Sequence, residues 1–284
     1  MYMLSEKDFL SMENKIYLWN DRKSAGTGNA EDDFQPFIEL SLIETDSPLG
    51  LVIVLPGGGY RTRAAHEGMP IAKKFNELGF HAAVVQYRVS PYTYPSPQQD
   101  VMRAVSFMRS NAKKWFIDPD HIAVGGFSAG GHLACCSGTI GLNVEHAAGD
   151  EADAFSARPD AIMLFYPVIS SDAAITHMGS FQRLSGQEDP DKEFLALTSL
   201  ENRITEETPP AFLWHTATDG VVNYQNSLRF AQNMWAKGKT AELHIYPEGR
   251  HGLGLAADRT DIRTWPELAA NFLENCGFPR KKLI

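Results

Sequence analysis

Three continuous apolar runs constrain the fold more than any other feature of this chain. The segments LVIVLP, IAVGGF and IMLFYP carry apolar or small residues at successive positions, not at alternating ones. Strands that are covered on both faces have this pattern. Stretches with helical spacing lie between the runs, for example Ile71, Phe75 and Leu78. This alternation predicts an α/β protein with a mostly parallel central sheet and helices on both faces.

The same patterns bound the individual elements. The predicted strands span residues 37–44, 51–55, 82–86, 122–126, 161–166, 211–215 and 242–246, and helical spacing occurs at 98–115, 224–236 and 265–275. Two long polar stretches, about 138–159 and 170–210, interrupt the alternation. Long excursions of this kind in a compact protein are usually lids or binding loops. We expect one domain over residues 1–284, with these two insertions forming a lid or substrate-binding loops.

Charge and hydropathy exclude some classes of partner. Of the 284 residues 43% are hydrophobic and 21% are charged, and the formal net charge is −9. A surface that binds nucleic acid needs a basic excess, so no nucleic-acid partner is expected. No apolar run approaches the ~20 residues that span a bilayer. No membrane association is therefore expected. Glu6, Lys7 and Asp8 interrupt the region where a secretory signal would need an apolar segment, so no secretory signal is expected either.

The cysteines favour a reducing compartment. Cys135, Cys136 and Cys276 are an odd number, and two of them are adjacent, which does not suit a disulfide framework. We therefore expect a cytoplasmic protein. The sequence has no His-Glu-x-x-His and no paired Cys-x-x-Cys pattern, so neither a metal nor another cofactor is expected.

One serine stands where the second apolar run ends. The segment Gly126-Phe127-Ser128-Ala129-Gly130 matches G-x-S-x-G, in which a strained turn between strand and helix exposes the serine hydroxyl at the edge of the sheet. The two glycines leave room for the neighbouring strand and helix. Because the motif is short, a glycine-rich turn with a helix-capping serine is the alternative interpretation.

A second glycine cluster, Pro56-Gly57-Gly58-Gly59-Tyr60, ends the first apolar run. Three successive glycines lose much chain entropy on ordering, so they suit a place where backbone N–H groups must approach a substrate closely. The tetrahedral intermediate of ester hydrolysis carries an oxyanion, which such donors stabilise. A phosphate loop is the alternative, but no Gly-Lys-Ser/Thr follows the cluster. The candidate oxyanion donors are the N–H groups of Gly58, Gly59 and Ala129.

A serine nucleophile needs a base, and the base needs a carboxylate that orients it. His251 lies in IYPEGRHGLGL, just past a predicted strand, and Asp219 lies in TATDGVV, past the preceding strand. The chain order Ser128, Asp219, His251 is that of an α/β hydrolase. Taken singly, His251 fits a solvated loop histidine and Asp219 fits a turn or helix-capping residue. Together with both glycine clusters, the order favours a catalytic triad.

Other polar residues near these motifs have weaker claims. His132, four residues after Ser128, is expected to pack beneath the site, and His215 lies within or at the end of a predicted strand. Tyr60, His66 and Glu67 close or follow the glycine cluster. These three are candidate substrate-binding residues, with His66 and Glu67 at the mouth of the pocket.

The chain resembles the α/β-hydrolase esterases of the hormone-sensitive-lipase type, and looks most like their acetyl-xylan-esterase-like, carbohydrate-esterase branch. The resemblance rests on IYLWN, on VLPGGGY, on the segment from QYRVSPY to VGGFSAGGHLA and on the segment from PPAFLWH to RHGLGL. One departure concerns Pro56, which stands where the family usually has histidine. Many of the carbohydrate-esterase relatives also carry proline at this position. The resemblance implies Ser128 as nucleophile, His251 as base, Asp219 as its acid, and Gly58, Gly59 and Ala129 as oxyanion donors.

The resemblance also implies a reaction. We expect a serine esterase that hydrolyses short-chain esters, above all acetyl esters of sugars or xylo-oligosaccharides, through an acyl-enzyme. The alternatives are a general short-chain carboxylesterase and a hydrolase-fold binding protein without catalysis. The implied partner is a small-molecule ester, and the resemblance favours a homodimer.

Overall fold

The computed structural model describes residues 15–19 and 34–282. The strands in these ranges are β1 Lys15–Tyr17, β2 Phe37–Ser41, β3 Leu49–Leu55, β4 His81–Gln86, β5 Ile117–Phe127, β6 Ala161–Phe165, β7 Ala211–Thr216 and β8 Ala241–Tyr246. They form one sheet in the order β1-β2-β4-β3-β5-β6-β7-β8. β2 pairs antiparallel with β1 and β4, and all other neighbouring strands are parallel. The predicted α/β fold with a mostly parallel sheet is confirmed.

Helices cover both faces of the sheet. The α-helices in the described ranges are α1 Met69–Glu77, α2 Ser96–Ser110, α3 Ala112–Trp115, α4 Ala129–Ser137, α5 Met178–Ser185, α6 Lys192–Thr198, α7 Gln225–Ala236 and α8 Trp265–Asn275. Along β3, Leu51 and Ile53 share a core with α2, α4 and α7, whereas Val52 and Val54 share a second core with α1 and α8. Successive side chains of a strand point to opposite faces. Two cores, one on each face, therefore account for the continuous apolar runs.

Some element boundaries differ from the prediction for identifiable reasons. β5 begins at Ile117 and not at Ile122, because Ile117 pairs with Leu49 across an irregularity in the ladder. The charged residues between them obscure this pairing in the sequence. The predicted helix 98–115 divides at Asn111 into α2 and α3. β1 has three residues, which is too short for a recognisable alternation.

The two insertions begin at opposite ends of the strands. The first, residues 138–159, contains the 3₁₀ helices Ile140–Asn143 and Glu151–Ala154 and follows α4, which returns from the carboxyl to the amino ends of the strands. Arg109 of α2 donates to the carbonyl oxygen of Arg158, at 3.0 Å, and fixes the end of this segment. The second insertion, residues 170–210, follows the carboxyl end of β6 and contains α5 and α6. The role of the two insertions as a lid or as substrate-binding loops stays a prediction.

Candidate active site

Ser128 occupies a strained turn at the carboxyl edge of the sheet. β5 ends at Phe127 and α4 begins at Ala129, so Ser128 alone connects strand and helix. Its φ is 53° and its ψ is −117°, a sparsely populated conformation that costs of order 1–3 kcal/mol. Its N–H donates to the carbonyl of Phe165, and its carbonyl accepts from the N–H of Val168, each at 3.0 Å. These contacts with the neighbouring strand end hold the turn in place.

Ser128, His251 and Asp219 come from three strand ends and form a continuous chain of hydrogen bonds. Oγ of Ser128 lies 2.8 Å from Nε2 of His251, and Nδ1 of His251 lies 2.7 Å from Oδ2 of Asp219. The serine hydroxyl donates to Nε2, and the Nδ1–H group donates to the carboxylate. A base that is to take the serine proton needs this arrangement.

The surroundings of Asp219 keep its carboxylate ionised. Oδ1 accepts hydrogen bonds from the N–H groups of Val221 and Val222, each at 2.9 Å. The buried imidazole of His215 places Nε2 3.4 Å from Oδ2. Burial favours the neutral acid, but hydrogen bonds from His215 and His251 and the charge of His251 outweigh it, so the pKa of Asp219 lies well below its usual value. A carboxylate that stays charged can orient His251 and stabilise its protonated form.

The glycine loop after β3 presents unpaired backbone donors. Gly58 and Gly59 have φ angles of 133° and 63°, where glycine is favoured. A Cβ atom on Gly57 would lie 3.0 Å from Cβ of Ser128, so the loop packs directly against the turn at Ser128. Within the described part of the chain, no hydrogen-bond acceptor is found for the N–H groups of Gly58, Gly59 and Ala129. Unpaired donors beside a serine hydroxyl are the groups that a developing oxyanion requires.

Three side chains outside this loop, which begins at Pro56, hold it in place. Each of them makes a hydrogen bond to the loop backbone, and the Tyr87 ring also packs edge to face against Tyr60. The Tyr87 hydroxyl donates to the carbonyl of Pro56 at 2.6 Å, the Glu67 carboxylate accepts from the N–H of Gly57 at 2.9 Å, and the Arg183 guanidinium donates to the carbonyl of Gly59 at 3.3 Å.

The three candidate substrate-binding residues lie at different depths. His66 is exposed, with Nε2 3.2 Å from the carbonyl oxygen of Gly252. Tyr60 is 1% exposed and its hydroxyl contacts His132, while Glu67 is 3% exposed and both of its carboxylate oxygens accept hydrogen bonds. The placement of Tyr60 and Glu67 therefore differs from the expectation of substrate contact. Both turn inward, because buried polar groups nearby need hydrogen-bond partners.

His132 packs beneath the site, as the sequence predicted. Its Nδ1 accepts from the Tyr60 hydroxyl at 2.8 Å, and its Nε2–H donates to the carbonyl of Thr198 at 2.9 Å. Burial lowers the pKa of His132 to about 4, against the opposing effect of the Thr198 carbonyl. The imidazole is therefore neutral at neutral pH, and both of its nitrogens are occupied. His215 lies within β7, also as predicted.

Three residues of the site were not identified from the sequence. Tyr166 contacts the His251 imidazole edge to face, with ring centroids 5.0 Å apart. It directly follows β6, so the end of that strand was a usable signal. The sequence places His215 in or at the end of a strand but does not predict its contact with Asp219. Arg183 lies in the second insertion, where the sequence offers no signal for its contact with Gly59.

The described residues contain neither a metal cluster nor a membrane span. In residues 15–19 and 34–282, no group of three or more His, Cys, Asp or Glu side chains is placed to hold a metal ion. In the same ranges, no helix is both long and apolar enough to cross a membrane. The single domain over residues 1–284, the cytoplasmic location and the homodimer stay predictions.

The sequence matches the BD-FAE family model over residues 41–234. The chain is 36% identical over 229 residues to endo-1,4-beta-xylanase B of Butyrivibrio fibrisolvens, and 31% identical over 237 residues to an acetylxylan esterase of Xylanibacter ruminicola. These alignments cover 79% and 82% of this chain but 36% and 45% of the relatives. The chain therefore spans less than half the length of these two curated relatives.

Solved structures agree with the family match. An acetyl ester-xyloside bifunctional hydrolase from Caldicellulosiruptor lactoaceticus has a TM-score of 0.88 and 41% identity, over 93% of this chain and 97% of that one. A carboxylesterase from Lactobacillus plantarum has a TM-score of 0.73 and 26% identity, over 90% and 98% of the two chains. The α/β-hydrolase fold and the family resemblance inferred from the sequence are thus confirmed. Because the family model covers more than half of the sequence, this chain belongs to the BD-FAE family.

Proposed function

We propose that this protein is a serine carboxylic ester hydrolase that removes acetyl groups from esters of sugars, with xylo-oligosaccharides as the first substrate class. One observation carries the reaction type: the hydrogen bonds from Ser128 through His251 to Asp219, 2.8 and 2.7 Å long. The unpaired backbone donors next to Ser128 support it further. The names of two relatives, an acetylxylan esterase and a carboxylesterase, support hydrolysis of carboxylic esters.

The proposed mechanism passes one proton through His251 in each of its two halves, from Ser128 to the alcohol and then from water to Ser128. Oγ of Ser128 attacks the ester carbonyl carbon as Nε2 of His251 takes its proton, and Asp219 stabilises the imidazolium. The bond to the alcohol breaks, His251 protonates the leaving oxygen, and an acyl-enzyme remains. Water then attacks the acyl-enzyme with His251 as base, the acid leaves, and Ser128 regains its proton. In both tetrahedral intermediates the oxyanion is stabilised by the N–H groups of Gly58, Gly59 and Ala129.

The side chains of the second insertion support the proposal that the alcohol portion of the ester substrate is polar. The partly exposed side chains of His177 and Arg183 lie against the oxyanion loop, residues 56–60. A Cβ atom built on Gly59 would be 3.2 Å from Nη1 of Arg183 and 3.9 Å from Cε1 of His177. Polar side chains at such a position suit the hydroxyl groups of a sugar. The names of two relatives, an acetylxylan esterase and an acetyl ester-xyloside hydrolase, point to the same alcohol.

The test compares acetate release from acetylated xylo-oligosaccharides with cleavage of nitrophenyl esters of increasing acyl length. Ser128→Ala should lower kcat by roughly 10⁶-fold, because the nucleophile is lost. Ser137→Ala is the matched control. Ser137 lies on the same helix, is buried, and donates to the carbonyl of Ala134 at 2.7 Å, so turnover should be retained.

The outcomes separate the alternatives. Sugar deacetylation that requires Ser128 supports the whole proposal. Cleavage of the nitrophenyl esters alone contradicts the sugar assignment and leaves a general short-chain carboxylesterase. Absence of any turnover that depends on Ser128 contradicts the esterase proposal and favours a non-catalytic binding protein.

A further inference from the structure

Glu67 and Tyr166 form a buried bridge beneath the candidate active site. Oε2 of Glu67 accepts from the N–H of Gly57 at 2.9 Å, and Oε1 accepts from the Tyr166 hydroxyl at 2.6 Å. The same hydroxyl accepts from the N–H of Gly254 at 2.9 Å. Glu67 is 3% exposed and Tyr166 is 1% exposed, so water does not compete for these bonds.

The two ends of the bridge lie in the two loops that the proposed reaction needs. Gly57 directly precedes the candidate oxyanion donors Gly58 and Gly59. Gly254 is three residues beyond His251, and the carbonyl of Gly254 accepts from Nε1 of Trp265 at 3.0 Å, which ties it to the core. The bridge therefore connects the oxyanion loop to the histidine loop, although these loops follow different strands.

The aromatic ring of Tyr166 adds a direct contact with the base. Its centroid lies 5.0 Å from that of His251, at an interplanar angle of 69°. Tyr166 has a φ of 37°, in the left-handed region. Non-glycine residues persist in such conformations where the surrounding structure determines them strongly. The ring supports the imidazole from below while the hydroxyl fixes the loop that carries it.

We propose that Glu67 and Tyr166 are positioning residues for the ester hydrolysis proposed above, on which this inference rests. Their hydrogen bonds hold His251 and the oxyanion donors in one fixed geometry. His251 and the donors can then act on the same ester carbonyl group of the substrate. Neither residue exchanges a proton with substrate, because both oxygens of Glu67 and the hydroxyl of Tyr166 are occupied within the protein.

The chemistry of the bridge explains why these two residue types are present. Two donors, the N–H of Gly57 and the hydroxyl of Tyr166, face Glu67, and an ionised carboxylate offers acceptors only. Glutamine of the same shape would turn an NH₂ group towards one of these donors. Phenylalanine at position 166 would remove the hydrogen bond to Oε1 of Glu67, which would keep only Nε2 of His66 at 3.6 Å, and would leave the N–H of Gly254 without its acceptor.

The test is Tyr166→Phe, assayed with 4-nitrophenyl acetate per fluorophosphonate-titrated site, so that misfolded protein does not contribute. We expect kcat to fall about 10–100-fold, because small displacements of catalytic groups have effects of this size. KM should stay within about twofold, since the lost contact is not with the substrate. Glu67→Gln should likewise lower kcat and leave KM nearly unchanged, and this variant is used if Tyr166→Phe does not fold.

Tyr246→Phe is the matched control. Tyr246 ends β8, and its ring contacts Trp214, as the ring of Tyr166 does. Its buried hydroxyl has no hydrogen-bond partner among the described residues. This variant should keep the wild-type kcat. The double variant of Glu67 and Tyr166 should lose little more than the worse single variant, because both changes break one bridge.

Three outcomes overturn the inference. The first is a kcat per titrated site that stays within twofold of wild type in Tyr166→Phe and in Glu67→Gln. The second is an equal loss in the Tyr246 control, and the third is a double variant whose losses multiply. Failure of the proposed function would look different, because the wild-type protein itself would then not cleave 4-nitrophenyl acetate.

Discussion

The elbow (residues 126–130) and the oxyanion loop (residues 56–60) are both rich in glycine, but different contacts fix them. A Cβ atom on Gly126 would overlap the backbone carbonyl of Gly130. A Cβ atom on Gly59 would approach only side-chain atoms of the second insertion, the nearest being Nη1 of Arg183 at 3.2 Å. Backbone cannot move aside, whereas the end of an arginine can. The elbow is thus determined by adjacent backbone, and the outer part of the oxyanion loop by side chains from distant segments.

This difference affects how each region tolerates change. The elbow either adopts its native conformation completely or does not form, because close-packed backbone atoms cannot shift slightly to admit an extra side-chain atom. A loop held by several separate side-chain hydrogen bonds can lose one of them and keep its course. We therefore expect large, all-or-none effects at the elbow and graded effects at Gly59, in the outer part of the oxyanion loop. Gly57 and Gly58 should behave like the elbow, because a Cβ atom on either would overlap backbone oxygen atoms.

The largest expected difference is between Gly126→Ala and Gly59→Ala. The first forces the elbow apart and should destabilise the protein by about 3 kcal/mol or more, with loss of esterase activity. The second places alanine at a φ of 63°, which costs roughly 1–2 kcal/mol but leaves the protein folded. Urea unfolding of both variants measures the difference. Equal destabilisation would show that backbone overlap does not distinguish the two regions.

The next effect concerns His132, which joins α4 of the elbow to Tyr60 of the oxyanion loop. Its pKa of about 4 in the folded protein lies below the ~6.5 of an unfolded chain, so the unfolded state binds a proton first as the pH falls. Stability should therefore drop between about pH 6.5 and 4, by about 3 kcal/mol from this group.

Urea unfolding of the wild type and of His132→Gln, at several pH values between 7 and 4, tests this effect. The variant has a neutral side chain with a donor and an acceptor, and its unfolding free energy should vary less across this window. Other titrating groups contribute equally to both proteins. Parallel pH profiles would contradict the assigned role of His132.

The smallest effect is expected from Arg183→Gln. Loss of the hydrogen bond to the carbonyl of Gly59 should lower kcat/KM for 4-nitrophenyl acetate by roughly fivefold, corresponding to about 1 kcal/mol. Arg203→Gln is the control, since Arg203 lies in the same insertion and its Nε donates to the carbonyl of Ala196 at 3.1 Å. Indistinguishable values for the two variants would mean that the insertion does not support the oxyanion loop.

The features that could be predicted from the sequence are those encoded in neighbouring residues, and the features that could not be predicted depend on contacts between distant segments. Ser128 and Asp219 follow strands that end buried, and His251 follows the half-buried edge strand β8. Hydrophobic patterning locates the ends of such strands, so the convergence of the three residues could be predicted. The elbow carries its steric requirement in five consecutive residues. The bond between Glu67 and Tyr166 joins positions 99 residues apart, and that between Arg183 and Gly59 joins positions 124 apart. No periodicity encodes such contacts, so the inward turn of Glu67 was not predicted.

The hydrogen bond between Ser128 and His251 spans 123 positions of the chain. Contacts of such separation form late in folding, because the entropy of closing a long loop must be overcome before they contribute. During refolding, reactivity of Ser128 towards a fluorophosphonate therefore reports the final docking of the C-terminal strand and helix, and not the initial collapse. During synthesis on a ribosome, the same serine stays unreactive until the segment around His251 has emerged and packed.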